Sequence, residues 1–244
     1  MKRHNNFYFT LLFLCSTQAY ANSHCESKIT LLYHERIPYV VNQNGAVIGL
    51  TATPASKAFR QSEVDIEWQK TPVKRQLMMI KNNHDCLCTI GWFKNPEREQ
   101  YSRYSQPIYQ DKPQVAITSA NNQLLVSGRP LREVLQQQEL SILMKDGYSY
   151  GKFIDEQVEK YQPTTYKVLY ENLKMLSLIY HQRYDYFFIA PEEVDSLVEE
   201  SKFNRSDFNV IEFNDMPEGE KRYILCSKQV PESVIHRLNN HIDE

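Results

Sequence analysis

Between Asp85 and Tyr109 the chain reads DCLCTIGWFKNPEREQYSRYSQPIY, which groups a flat indole, a second aromatic ring and a guanidinium at Trp92, Phe93 and Arg98. The apolar run ending in Gly91-Trp92-Phe93 has the pattern of a strand whose tip opens into a cleft. At such a tip an indole supplies a stacking face, and a planar guanidinium supplies parallel donors that match the two oxygens of a carboxylate. This is the chemistry of holding a small molecule, and the sequence reading is of a binding protein rather than an enzyme. No H-E-x-x-H helix and no phosphate-cradling glycine loop occurs. The acidic pairs Glu192-Glu193 and Glu199-Glu200 occupy neighbouring helix positions that do not face each other, so they make poor acid–base partners.

A second candidate segment is Gly147-Tyr148-Ser149-Tyr150-Gly151, directly ahead of a predicted helix. Free N–H groups at a helix start, joined by the Ser149 hydroxyl, make an anion site. Ser149 equally reads as an N-cap. His24, His84 and Asp85 stand beside cysteines, but without C-x-x-C or H-x-x-x-H spacing no metal site is expected, and no cofactor.

These residues need elements to position them. Hydrophobic runs and breakers alternate as strand and helix, the pattern of mainly parallel sheets flanked by helices. The first set predicts strands over 29–34, 64–68 and 86–92 with helices over 54–61 and 73–82. The second predicts strands over 141–145, 165–169 and 186–190 with helices over 150–161, 171–181 and 191–200. A strand-like run over 109–118 leaves the first set, and another over 221–226 returns ahead of a closing helix at 233–242. Residues 120–140, polar and Gln-rich, read as the entry into the second set with one short helix. The expected architecture is α/β with two lobes, 22–115 with 216–244 and 116–215, joined by two crossover strands that act as a hinge. Ligands then bind where both lobes present the carboxyl ends of their strands.

With Asn95 ahead of Arg98 and Ser105 and Pro107 behind it, the segment resembles the T-x-x-R-x-x-x-x-x-x-S-x-P stretch of the bacterial extracellular solute-binding proteins of family 3, the periplasmic receptors of amino-acid ABC transporters. Pro38-Tyr39 and the hairpin from Gly45 to Gly49 are similar to the family's proline–aromatic turn and the hairpin after it. The resemblance implies a two-lobed periplasmic binding fold in which Arg98 clamps a ligand carboxylate, a role lysine cannot copy. It also implies that Tyr39 sets a ring over the cleft and that Arg75, at the start of its helix, adds a second basic group; Lys74 reads as solvated. Trp92 and Phe93 replace residues that are small and polar in amino-acid receptors. Asp185 matches a structural aspartate, but the acid that binds an α-ammonium falls on Ala190, leaving Glu192 or Glu193 as substitutes. The expected ligand-binding set is Tyr39, Arg75, Trp92, Phe93, Arg98, Tyr148, Ser149 and Tyr150.

Lys2, Arg3 and His4 precede an apolar stretch from Phe7 to Leu14 and the small-x-small pattern Ala19-Tyr20-Ala21, so a signal peptide over 1–21, cleaved after Ala21, is expected. The mature chain is expected in the periplasm. A formal net charge of −2 gives no reason to expect nucleic acid as a partner. Expected partners are a small-molecule ligand and an ABC permease or a membrane sensor, with the chain itself a monomer. The alternatives are a sensory module and a dehydratase-like enzyme on the same fold. Beyond the signal, Cys25, Cys86, Cys88 and Cys226 form an even set in an oxidising compartment. Strand order in a doubly wound sheet favours Cys25 with Cys86, and Cys88 could approach Cys226 on the returning strand.

Overall fold

The structure is a computed structural model that describes residues 24–242; the expected signal peptide and its cleavage site lie outside the described residues. Two five-stranded sheets and a two-stranded hairpin carry the fold. The first lobe opens with a single turn of helix α1 (His24–Ser27), β1 (Lys28–Tyr33), the hairpin β2 (Val41–Gln43) and β3 (Ala46–Ile48), and α2 (Ala52–Gln61). It continues through β4 (Asp65–Lys70), α3 (Val73–Asn82), β5 (Leu87–Phe93), α4 (Pro96–Glu99) and β6 (Ser102–Gln110). The second lobe comprises β7 (Val115–Ser119), α5 (Leu131–Leu135), β8 (Ser141–Lys145), α6 (Lys152–Tyr161), β9 (Thr164–Val168), α7 (Asn172–Tyr180), β10 (Tyr186–Ile189), α8 (Pro191–Glu200) and β11 (Phe208–Ile211). The chain then returns to the first lobe as β12 (Lys221–Ser227) and α9 (Glu232–Asn239).

Sheet one runs β4-β1-β5-β12-β6 and sheet two runs β11-β7-β10-β8-β9. Neither is mainly parallel as expected from the sequence: β1 pairs parallel with β4 and β5, while β12 pairs antiparallel with β5 and β6. Sheet two repeats this, with β8 parallel to β9 and β10 and β7 antiparallel to β10 and β11. The cause is the crossing itself, because β12 and β7 enter their sheets from the other lobe and run against the strands already there.

Strand alternation places a core on each face of both sheets. Ile29, Leu31 and Tyr33 of β1 pack with the buried stripe Ala52, Ala55, Ala58 and Phe59 of α2 and with Val234 and Leu238 of α9. Leu32, between them in sequence, packs the other way against Ile80 of α3 and Trp92. In sheet two Tyr186 and Phe188 face α5 and α6, whereas Phe187 and Ile189 face α7 and α8. Burying a side chain such as Ile80 or Phe187 completely contributes about 1.5–3 kcal/mol, so both lobes have substantial cores of their own.

The chain crosses at residues 111–114 and 212–220, between strands rather than along continuous ones. The crossings touch where Asp111 N–H donates to the Glu220 carbonyl at 3.0 Å. A Cβ on Gly219 would stand 1.9 Å from the Asp111 carbonyl oxygen, so only glycine permits this approach. The Asp111 carboxylate receives Arg222 Nε and Nη2 at 2.6 Å each and the Tyr39 hydroxyl at 2.9 Å, a buried network beneath the hinge.

Both cysteine pairings are present. Cys25–Cys86 ties α1 to the entry of β5 with Cα atoms 5.2 Å apart, and Cys88–Cys226 joins directly paired positions of β5 and β12 at 4.0 Å.

Candidate ligand-binding cleft

The strands of both lobes end at a shared cleft that contains a small cavity of about 50 Å³. Lobe one contributes His34, Arg36, Trp92, Phe93, Arg98 and Arg222; lobe two contributes Tyr148, Ser149, Tyr150 and Phe188. A water needs roughly 10–15 Å³ on this measure, so the space holds only a few waters while the lobes are closed. On the far side of His34 and Arg36 lies a larger cavity of about 470 Å³, bordered by Lys145, Glu171, Asn172 and Glu193.

Arg98 is held by the short helix α4. The Asn95 side chain caps it by accepting the Arg98 N–H at 2.9 Å, Pro96 starts it, and the Arg98 carbonyl accepts the Ser102 hydroxyl at 2.6 Å. The guanidinium lies 4.8 Å above the Trp92 ring and donates Nη1 to the Phe93 carbonyl at 3.0 Å. Trp92 is anchored in turn, donating Nε1 to Thr89 Oγ1 at 2.9 Å. Arg98 is 6 % exposed and, among the described residues, has no carboxylate partner. The other two cavity arginines are neutralised: Arg222 by Asp111, and Arg36 by Glu193, whose oxygens accept Nε and Nη2 at 2.7 and 2.6 Å.

The Arg36–Glu193 pair links the turn after β1 to the first turn of α8, so it spans the two lobes. Lys74 of α3 and Asp146 after β8 make a second link at 2.5 Å, and Lys74 stays solvated as expected, both side chains being about half exposed. Glu192 does not reach the cavity. It accepts the Tyr109 hydroxyl at 3.1 Å and the Lys112 N–H at 2.8 Å, tying α8 to the crossing. Ala190 is fully buried, and Asp185 is structural, accepting the Ser141 N–H and hydroxyl at 2.8 and 2.6 Å.

Of the eight residues singled out by sequence, Trp92, Phe93, Arg98, Tyr148, Ser149 and Tyr150 line the cavity, and Tyr39 and Arg75 do not. Tyr39 is buried behind Arg222, whose guanidinium stacks 4.0 Å from its ring. Arg75 is exposed on α3, because one residue along a helix turns the side chain by about 100° and it is Gln76 that faces inward. The start of α6 also differs from expectation. Gly151 is its N-cap residue, and the donors there are already taken: Asp155 accepts the Tyr150 N–H at 2.9 Å and the Ser149 hydroxyl at 2.5 Å, and Glu220 accepts the Lys152 N–H at 2.7 Å. The same pentapeptide spells G-x-S-x-G between a strand and a helix, the sequence pattern of a hydrolase nucleophile elbow. Its serine is bonded to Asp155 and Gly151 with no histidine among its hydrogen-bond partners, so the arrangement is not that of an activated nucleophile.

The sequence reading missed His34, Arg36 and Arg222. His34 is held neutral, its pKa pushed down to about 3 by burial and by the positive charges of Arg36, Lys145 and Arg222. Burial likewise raises the Tyr148 hydroxyl to about 12. Both His34 Nε2 and Tyr148 Oη are buried without a hydrogen-bond partner.

Two α/β lobes joined by paired crossings, closing on a cavity with a buried arginine, define a hinged solute receptor. Residues 30–228 match the model of the bacterial extracellular solute-binding proteins, family 3, and the chain belongs to that family. Solved structures with the same fold include an ancestral arginine-binding protein bound to arginine, with 12% identity over 90% of this chain and 92% of that one at a TM-score of 0.68. Another comes from work on glutathione import via GshT and the cystine ABC importer TcyBC of Streptococcus mutans, with 13% identity, 88% and 87% coverage and a TM-score of 0.70. A third is the amino acid ABC transporter substrate-binding protein AbpA from Streptococcus pneumoniae bound to L-arginine, with 13% identity, 90% and 88% coverage and a TM-score of 0.66. No curated protein sequence gave a significant match. Among the described residues no helix is long and apolar enough to cross a membrane, and no cluster of ligating side chains could hold a metal ion.

Proposed function

We propose that the chain, exported and cleaved after Ala21, acts as a monomeric periplasmic receptor that closes its lobes on a small carboxylated solute without altering it. It hands that solute to an ABC-type importer or reports it to a membrane sensor. The observation that carries this reading is Arg98: a buried guanidinium on an aromatic platform, facing an inter-lobe cavity and making no ion pair among the described residues. A desolvated cation of this kind gains most from a bidentate anionic partner. A bound solute favours the closed arrangement further, since only that arrangement adds Tyr148, Ser149 and Tyr150 to the lobe-one contacts.

Thermal-shift screening of the oxidised protein against amino acids, organic acids and oligopeptide fragments tests the proposal. A solute at 100 times its Kd stabilises the native state by about 2.7 kcal/mol, which for two-lobed chains of this size is roughly 5–10 °C. Carboxylated solutes should give such shifts and their amides should not. Equal shifts from acids and amides would refute the carboxylate assignment.

A further inference from the structure

His34 sits in a buried relay whose hydrogens can be placed one by one. The Trp92 indole only donates, so Thr89 Oγ1 accepts from it, and the Thr89 proton must go to Gln76 Oε1. Gln76 Nε2 is then the donor end of the amide, as its 2.7 Å bond to the Thr71 carbonyl also demands. The second hydrogen of that nitrogen points at His34 Nδ1, 3.3 Å away, which therefore presents its lone pair. In a neutral ring the proton is then on Nε2, the atom left without a partner beside the cavity. His34 thus offers a donor to the cleft, and because its only lone pair is committed to Gln76 it cannot serve as a base for Ser149.

The remaining polar groups of the inner cavity point to the same kind of ligand. Tyr148 brings a second unpartnered atom, its hydroxyl. Among the described residues no aspartate or glutamate lines this cavity. Ala190 has no acid, Glu193 is taken by Arg36 and by Asn172 Nδ2 at 3.2 Å, Asp111 is taken by Arg222, and Asp155, whose charge reaches Arg98, is taken by the Ser149 hydroxyl and the Tyr150 N–H. An ammonium placed here would lose its hydration with no counter-charge, and it would set N–H against N–H at His34.

We propose that His34 is a ligand-binding residue whose Nε2–H, together with the Tyr148 hydroxyl, receives a second oxygen acceptor on the solute whose carboxylate Arg98 holds, the oxygen on the neighbouring carbon, so that the solutes captured are 2-oxo acids rather than amino acids. This deepens the reading of the cleft as a carboxylate site and rests on it. Nε2 carries its hydrogen in this tautomer and in the protonated ring alike, so the donor persists across the ordinary pH range of the periplasm.

The test has two parts, both on the oxidised, mature protein. Long-range ¹H–¹⁵N spectra of the histidine rings should show His34 as the Nε2–H tautomer, neutral down to about pH 4; an Nδ1–H ring, or one titrating near 6.5, overturns the proposal without reference to any ligand. Calorimetry then compares matched pairs of one carbon skeleton: pyruvate with alanine, 2-oxoglutarate with glutamate, and phenylpyruvate with phenylalanine. The oxo acid of at least one pair should bind tenfold or more tightly than its amino acid. His34→Phe should lose at least tenfold of that affinity, and His34→Gln, which keeps an N–H at the Nε2 position, should retain most of it. An amino acid that binds as tightly as its oxo partner, or an unaffected His34→Phe protein, overturns the proposal. If that amino acid's binding is still lost in Arg98→Met, carboxylate capture stands and only the solute class fails; if neither member of any pair binds, both fail.

Discussion

Replacing Glu193 by glutamine should open the ligand-free protein. The Glu193 carboxylate is 2 % exposed and takes two charge-assisted bonds from Arg36, whose side chain is 24 % exposed. The pair exists only when the lobes meet, because one partner follows β1 and the other begins α8. Two unit charges about 4 Å apart at an effective dielectric of 20 interact by about 4 kcal/mol. Removing one member of a buried pair costs about 3–5 kcal/mol, since the other charge is left unpaired. In the open arrangement Arg36 is hydrated, so nearly all of this cost falls on the closed state; its partial exposure favours the low end, about 3 kcal/mol. The interaction of Glu193 with the α8 dipole is lost in both states and cancels. A shift of 3 kcal/mol lowers the closed-to-open ratio by roughly 100-fold. Small-angle scattering of the ligand-free proteins should give a compact wild type and a Glu193→Gln variant with a larger radius of gyration. A double variant, Arg36→Met with Glu193→Leu, should recover compactness because an apolar pair of similar volume carries no desolvation cost. Superposable wild-type and Glu193→Gln curves, both compact, would refute the reasoning.

Two further predictions concern stability. The pKa of His34 is lowered in the folded state to about 3, so the unfolded chain binds the extra proton between about pH 6.5 and 3 and stability falls as pH drops through that window, by up to about 1.4 kcal/mol per unit; His34→Gln should flatten the urea-denaturation pH profile there, and identical slopes would count against a buried neutral ring. Removing the Cys25–Cys86 bridge, which closes a loop of sequence separation 61, should lower unfolding stability by about 4 kcal/mol on the chain-entropy model; denaturation of Cys25→Ser/Cys86→Ser with an unchanged midpoint would show that the tether does not constrain the unfolded chain.

The strand–helix alternation was legible because most elements carry a clean period, and α3, β8 and α8 fall on the residues their patterns predict. β6 was not, since SRYSQPIYQ mixes polar residues with Pro107 and looks like a loop; its place at the edge of sheet one is where a strand tolerates proline. β11, four residues at the other sheet's edge, is too short to show a period. Strand order favoured Cys25 with Cys86 and left Cys88 with Cys226 open, and both bonds are present. In the cleft, residues at strand tips and before α6 were readable from local sequence. Arg36 and Arg222 were not, because their roles depend on Glu193 and Asp111, 157 and 111 residues away. His34 stayed hidden for a related reason: its tautomer is decided by Gln76, Thr89 and Trp92, which only the folded sheet brings together.

The central claim is that Arg98 takes a solute carboxylate between the lobes, and calorimetric titration of wild type and Arg98→Met with the best solute from the thermal screen tests it most directly. Truncating one partner of a buried charge pair costs about 2–5 kcal/mol, so Arg98→Met should bind at least roughly 30-fold more weakly while unfolding at a similar denaturant concentration without ligand. Equal Kd values for the two proteins would contradict the account.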